Sequence, residues 1–119
     1  DVKCILESDG VLDQITNRKL STNLYHITQE AIKNAAIHGE AKRILIEIKK
    51  ENDQLQLLIK DDGKGYSPVQ KKNDGMGLEI MNHRVNLQDG TFSIEALPKS
   101  NRYSTLVKCT FPAKEILEN

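Results

Sequence analysis

A carboxylate and a carboxamide stand four residues apart in the run Gln29-Glu30-Ala31-Ile32-Lys33-Asn34-Ala35. On a helix of 3.6 residues per turn, Glu30 and Asn34 lie one above the other on a single strip and can reach one ligand. Further along, Asp61-Asp62-Gly63-Lys64-Gly65 closes an apolar alternating run, and Gly75-Met76-Gly77-Leu78 opens a second helical run. Magnesium takes oxygen ligands, keeps several waters and shares phosphate oxygens, so the neutral oxygen of Asn34 suits it as a single protein ligand. Glu30 could orient or deprotonate a group that attacks a terminal phosphate. Asp61, at the end of a strand and followed by Gly63 and Gly65, can accept a hydrogen bond from the exocyclic amine of a flat base. Gly75 and Gly77 would place unpaired helix N-terminal amides beside phosphate oxygens with no side chain in the way. Taken singly, these are also the marks of a solvated helix face, an ordinary Asp-Gly turn and a hinge. In one order and in the right helical and strand contexts, they make a site for a nucleotide and its magnesium ion.

The elements that must hold those residues are legible from periodicity. Leu20, Leu24, Ile27, Ala31 and Ala35 recur at helical spacing, so a helix is predicted over 21–38, stopped by Gly39. Ile44, Ile46 and Ile48 alternate with polar positions, as do Leu55, Leu57 and Ile59, and Glu51-Asn52-Asp53 between them reads as the turn of an antiparallel hairpin. Strands are also predicted at 2–6, 91–96 and 105–111, and a second helix at 78–87. The resulting order β, α, β, β, loop, α, β, β implies an α/β two-layer sandwich: a mixed, largely antiparallel sheet with helices on one face. The polar stretch from Gly63 to Gly75 is long for a connection, and residues 113–119 read as a frayed tail.

Composition narrows the function classes. With 119 residues, 38% hydrophobic and 4% aromatic, the chain is one domain with a modest aliphatic core. Seventeen Lys and Arg balance seventeen Asp and Glu, so no global field draws the chain to nucleic acid, and any anion site is local. No apolar run approaches the roughly 18 residues that span a bilayer, and no signal-like leader is present, so a cytoplasmic location is expected for the chain, whether or not a parent protein is membrane-anchored. The abrupt start at Asp1 reads as an excised piece of a longer protein. Cys4 and Cys109 lie in strand-like stretches and are expected to be buried, reduced thiols, a disulfide between neighbouring strands being the alternative.

The three segments resemble the N, G1 and G2 boxes of the GHKL ATPase superfamily. Leu24-Tyr25-His26-Ile27-Thr28-Gln29-Glu30-Ala31 and Gly77-Leu78-Glu79-Ile80-Met81-Asn82-His83-Arg84-Val85 are most similar to the catalytic ATP-binding domain of two-component sensor histidine kinases, in the subfamily that pairs with helix-turn-helix response regulators. The likeness runs from Val2 to Pro112 and implies a Bergerat-type fold with ATP and Mg2+ as cofactors. Residue by residue, it implies that Asn34 coordinates magnesium, Glu30 assists phosphoryl transfer and Asp61 bonds the adenine amino group beside Gly63 and Gly65. Gly75 and Gly77, followed by Leu78, would border an ATP lid at 66–74, and Thr105 would lie near the adenine pocket. His38 would contact phosphate or simply sit at the helix C-terminus, where a cation is favoured.

Two positions depart from the pattern. Ile37 stands where many relatives carry a phosphate-binding lysine before the N-box histidine, leaving Lys33, Lys71, Lys72 or Arg84 to take that part. Ser104-Thr105 stands where Gly-Thr is usual. None of His26, His38 and His83 looks like a phosphoacceptor. The resemblance therefore implies the ATP-binding half of a kinase, which does not phosphorylate itself as this chain alone. Its partners would be a dimerisation and phosphoacceptor domain of a homodimeric parent and a downstream response regulator, the isolated chain being monomeric. The alternative is an anti-sigma-factor-type serine kinase or binding module of the same fold. A hydrolytic relative of the gyrase, chaperone or mismatch-repair kind and a nucleotide-free scaffold are further readings.

Overall fold

The computed structural model describes residues 1–65 and 75–116. Five strands, β1 (Lys3–Ser8), β2 (Arg43–Glu51), β3 (Gln54–Asp61), β4 (Thr91–Ala96) and β5 (Thr105–Pro112), form one sheet in the order β1-β2-β3-β5-β4. β1 runs parallel to β2 and every other pair is antiparallel. Two helices, α1 (Arg18–Lys33) and α2 (Gly75–Asn86), supply the second layer.

Alternation explains why one sheet face is covered. Ile44, Ile46 and Ile48 on β2, Leu55, Leu57 and Ile59 on β3, and Val107, Cys109 and Phe111 on β5 are all buried, and the register stacks them in rows such as Ile46, Ile59 and Val107. The β2–β3 turn is closed by Asn52 and Asp53, both with positive φ, 53° and 60°, the conformation a two-residue hairpin requires. Leu20, Leu24, Ile27, Ala31 and Ala35 face the sheet as their spacing predicts, joined by Leu78, Met81 and Val85 of α2. Each fully buried aliphatic side chain contributes about 1.5–3 kcal/mol through removal from water.

α1 starts earlier than its apolar stripe suggests, because the carboxamide oxygen of Asn17 accepts the amides of Lys19 and Leu20 and caps the first turn. It also ends differently. Asn34–His38 form a wider π-helical turn, in which the Gly39 amide reaches back to the Asn34 carbonyl (2.9 Å) and the Ala41 amide to that of Ala35 (2.8 Å).

A buried polar chain joins the two helices. Arg84 Nη1 donates to Asn23 Oδ1 (3.2 Å), Asn23 Nδ2 to Gln88 Oε1 (3.1 Å), and Gln88 Nε2 to Glu115 Oε1 (2.9 Å). Asn23 and Gln88 are buried, so each satisfies its amide inside the protein. The expected frayed tail is replaced, as far as residue 116, by a single 3-10 turn at Ala113–Glu115 and a buried Ile116. The Ile116 carbonyl accepts the amides of Thr16 and Asn17, which ties this turn to the start of α1. Residues 117–119 and the ATP lid expected at 66–74 lie outside the described residues.

The cysteine expectation holds for Cys109 and fails for Cys4. Cys4 and Leu6 share the inner sheet face with Ile44 and Ile46, but the helices do not reach over β1, and every residue of that strand is exposed. A disulfide is also excluded, since β2 and β3 separate the strands carrying the two thiols. Among the described residues no helix is long and apolar enough to cross a membrane.

Candidate functional site

Glu30 sits in the last turns of α1 and Asn34 at the start of the widened turn, both half-buried. The first turn of α2 rests directly on them. A Cβ at Gly77 would lie 2.6 Å from Glu30 Oε1, 2.9 Å from Asn34 Nδ2 and 3.1 Å from Asn34 Oδ1. Only glycine lets the backbone approach the pair so closely, and Leu78 beside it is buried in the core.

A second group of predicted residues gathers at the end of β3. Asp61 pairs in register with Thr105 of β5, and both are buried on the inner face of the sheet. Asp61 Oδ1 accepts the Gly63 amide at 2.9 Å. Burial pushes the Asp61 carboxyl above the usual carboxylate range, the Gly63 amide opposes that shift, and the neighbouring charge of Asp62 adds to it. Gly65 takes a φ of 93°, which a side chain would strain.

The widened turn joins the two groups. The Gly39 carbonyl accepts the Lys64 amide at 2.8 Å, and a Cβ at Gly63 would lie 2.5 Å from that same carbonyl oxygen. Gly63 is therefore glycine because the end of α1 packs against it. Asp62 serves a different purpose from Asp61: its Oδ1 accepts the amides of Lys42 and Arg43 at 2.8 and 2.9 Å, and it closes the loop between the helix and β2.

His38 is exposed, and Ile37 leaves 64% of its surface to solvent. No packing demand therefore accounts for an isoleucine there. Of the basic residues offered as substitutes for a lysine at that position, Arg84 is engaged with Asn23, Lys33 is exposed at the end of α1, and Lys71 and Lys72 lie outside the described residues. Gly75 opens α2, as expected.

Two participants escape sequence reasoning. One is the Gly39 carbonyl, since a glycine after a helix signals only a stop. The other is Ser104, whose amide donates to the Asp61 carbonyl (2.7 Å) and whose hydroxyl lies 2.7 Å from the Gly63 carbonyl oxygen and 3.2 Å from that of Asp61. The departure from Gly-Thr was the available signal for it.

The arrangement offers a carboxylate and a carboxamide under a helix N-terminus, and a buried carboxylate with one oxygen held by a glycine turn. Residues 19–115 match the family model described as "Histidine kinase-, DNA gyrase B-, and HSP90-like ATPase". The chain is 35% identical over 97 residues to the signal transduction histidine-protein kinase/phosphatase DegS of Bacillus subtilis, an alignment covering 79% of this chain and 24% of DegS. It is 36% identical over 81 residues to the sensor protein VraS of Staphylococcus aureus, covering 68% of this chain and 23% of VraS. The chain thus spans about a quarter of the length of these curated relatives. The crystal structure of the ATP binding domain of PrrB from Mycobacterium tuberculosis superposes with a TM-score of 0.65 at 22% identity, covering 76% of this chain and 67% of that one, a likeness of fold.

Proposed function

Because the chain belongs to the histidine kinase-, DNA gyrase B- and HSP90-like ATPase family, we propose that it is the catalytic ATP-binding domain of a two-component sensor histidine kinase. In this reading it presents the γ-phosphate of Mg-ATP to a histidine on a separate dimerisation domain, and a response regulator receives the phosphate afterwards. The observation that carries the reading is the packing of Gly77 onto Glu30 and Asn34, which brings a helix N-terminus, a carboxylate and a carboxamide within reach of one triphosphate.

Asn34 fits a hard cation: among the described residues its carboxamide enters no side-chain hydrogen bond, so its oxygen is available to Mg2+. The ion, when bound, would neutralise charge on the phosphate oxygens. Glu30 holds the attacking imidazole in line, or accepts the proton of its N–H nitrogen, as the other ring nitrogen's lone pair forms the bond to the γ-phosphorus and the bond from that phosphorus to the β,γ-bridging oxygen breaks, releasing ADP. The amides opening α2 from Gly75 to Gly77 bind phosphate oxygens. Asp61 keeps Oδ1 on the Gly63 amide and offers its second oxygen to the adenine amino group, while Thr105 beside it lines the pocket. Lys33, Lys71 and Lys72 are the candidates for the phosphate contact missing at Ile37.

The test is calorimetric titration with Mg-ATP, followed by incubation with labelled ATP alone and with the histidine-bearing dimerisation domain added. Binding without self-labelling, with acid-labile phosphate appearing on the added domain, is expected. Stoichiometric labelling of His26, His38 or His83 would refute the assignment, and transfer to a partner's serine would favour the anti-sigma-factor type of kinase.

A further inference from the structure

We propose that Ser104 is a positioning residue for base selection, acting on Asp61 through the turn between them. The inference rests on the assignment of Asp61 to the adenine amino group and extends it to Ser104, in the Ser104-Thr105 pair that stands where Gly-Thr is usual.

One peptide unit, that joining Gly63 to Lys64, is the point of leverage. Its N–H donates to the Gly39 carbonyl at 2.8 Å, and its carbonyl oxygen accepts the Ser104 hydroxyl at 2.7 Å. The plane is therefore gripped at both ends, by α1's exit on one side and by the segment leading into β5 on the other. Without the hydroxyl it would be held at one end only. Rotation of this unit runs about ψ of Gly63 and φ of Lys64, and Gly63, with no side chain, resists it poorly. Gly63 matters to Asp61 because its amide holds Oδ1 at 2.9 Å and so sets the plane of the carboxylate. The Asp61 carbonyl also accepts the Ser104 amide at 2.7 Å, with the hydroxyl at 3.2 Å, so the residue brackets the turn from Asp61 to Gly63. The hydroxyl has a single proton, which the shorter contact places on the Gly63 carbonyl, while the Ser104 amide serves the Asp61 carbonyl. The hydroxyl bonds within the turn that orients Asp61 and not to Glu30 or Asn34, so its effect is expected to fall mainly on how the base is read.

Ser104→Ala is expected to lower ATP affinity about two- to tenfold, the range for one neutral hydrogen bond. Affinity for inosine triphosphate, whose base has a carbonyl oxygen in place of the amino group, should change little, so the ratio between the two nucleotides narrows. Inorganic tripolyphosphate should bind as before, and Ser104→Thr, which keeps the hydroxyl, should restore the ratio. Exchange of the Lys64 amide, followed by NMR on the nucleotide-free chain, should quicken in Ser104→Ala and stay slow in Ser104→Thr. An unchanged ATP-to-inosine-triphosphate ratio in Ser104→Ala, with ATP binding intact in the unaltered chain, would overturn this inference alone. Equal loss for both nucleotides and tripolyphosphate would also overturn it, as a general loss of packing. Failure of the unaltered chain to prefer ATP would instead overturn the role of Asp61 on which the inference stands, and Lys64 exchange would still report whether Ser104 holds the turn.

Discussion

Replacing Gly77 by alanine should separate folding from function. The added methyl would begin 2.6 Å from Glu30 Oε1 and 2.9 Å from Asn34 Nδ2, well inside contact distance, but both atoms are the free ends of side chains. They can swing away without moving either helix. Alanine is also the better helix former, by about 1 kcal/mol in a helix interior and less in a first turn such as this, so the melting midpoint of a domain this long should rise by no more than roughly 3–5 °C. The fold is therefore expected to be unharmed or slightly firmer. The site fares differently, because the displaced carboxamide is the one assigned to the metal. An interaction of a polar group with a charge contributes roughly 1.5–3 kcal/mol, so Mg-ATP affinity should fall about tenfold to a hundredfold, with a smaller fall for ATP in excess chelator. Thermal melts and paired titrations measure both quantities. A lowered melting midpoint with undiminished Mg-ATP affinity would refute the reasoning, since it would mean that α2 itself had moved and left the carboxamide in place.

Gly63→Ala should behave in the opposite way, because its Cβ would meet the Gly39 carbonyl oxygen at 2.5 Å and backbone cannot swing aside; a destabilisation of about 1–3 kcal/mol and weakened nucleotide binding should appear together in denaturant melts and titrations. Asp61→Asn keeps an acceptor for the Gly63 amide but removes a half-desolvated charge, so stability should hold or rise while ATP affinity falls about tenfold or more and GTP affinity changes much less. The pH dependence has a definite sign: with the Asp61 pKa raised above 3.8 in the fold, the folded state holds that proton more tightly than the unfolded chain. Its stabilising contribution is full below 3.8, is lost as pH rises through the raised value, and ATP affinity moves the other way, a dependence that Asp61→Asn should lack. Asp62→Ala should cost about 1 kcal/mol through the lost cap on Lys42 and Arg43 yet leave ATP-over-GTP preference intact; a larger loss of ATP binding than from Asp61→Asn would show that the wrong carboxylate was assigned to the base. Asn34→Ala should weaken Mg-ATP more than metal-free ATP, and equal losses would point to a packing role for the amide.

The parts of the fold that were legible in the sequence are those fixed by local period. The stripe from Leu20 to Ala35 and the alternation in β2 and β3 each follow from which side chains must leave water, and each is buried as its spacing implies. The juxtaposition of Gly77 with Glu30 and Asn34 was legible only from the three segments taken together, since each alone also fits a solvated face, a turn or a hinge. What stayed hidden depends on contacts distant in sequence. Cys4 sits in an apolar run that looks buried, and only the reach of the helix layer decides that it is not. The anchoring of Glu115 and Ile116 depends on Gln88, Thr16 and Asn17, none of which marks itself by type. The parallel pairing of β1 with β2 likewise has no signature in either strand.

The widened turn at Asn34–His38 carries one residue more than a regular helix of the same rise would need. That surplus rotates the chain's exit by about 100 degrees and aims the Gly39 carbonyl at Lys64. Removing the codon for Ile37, whose side chain is mostly in solvent, would take that surplus out without deleting a core side chain, although buried Ala41 beyond the turn would have to re-seat. The carbonyl would then face elsewhere, and the glycine turn that orients Asp61 would lose its brace. A shortened chain of this kind is expected to keep the aliphatic interior of the sheet while losing the contact between the helix exit and the glycine turn, so the length of this one turn decides whether the two ends of the candidate site meet.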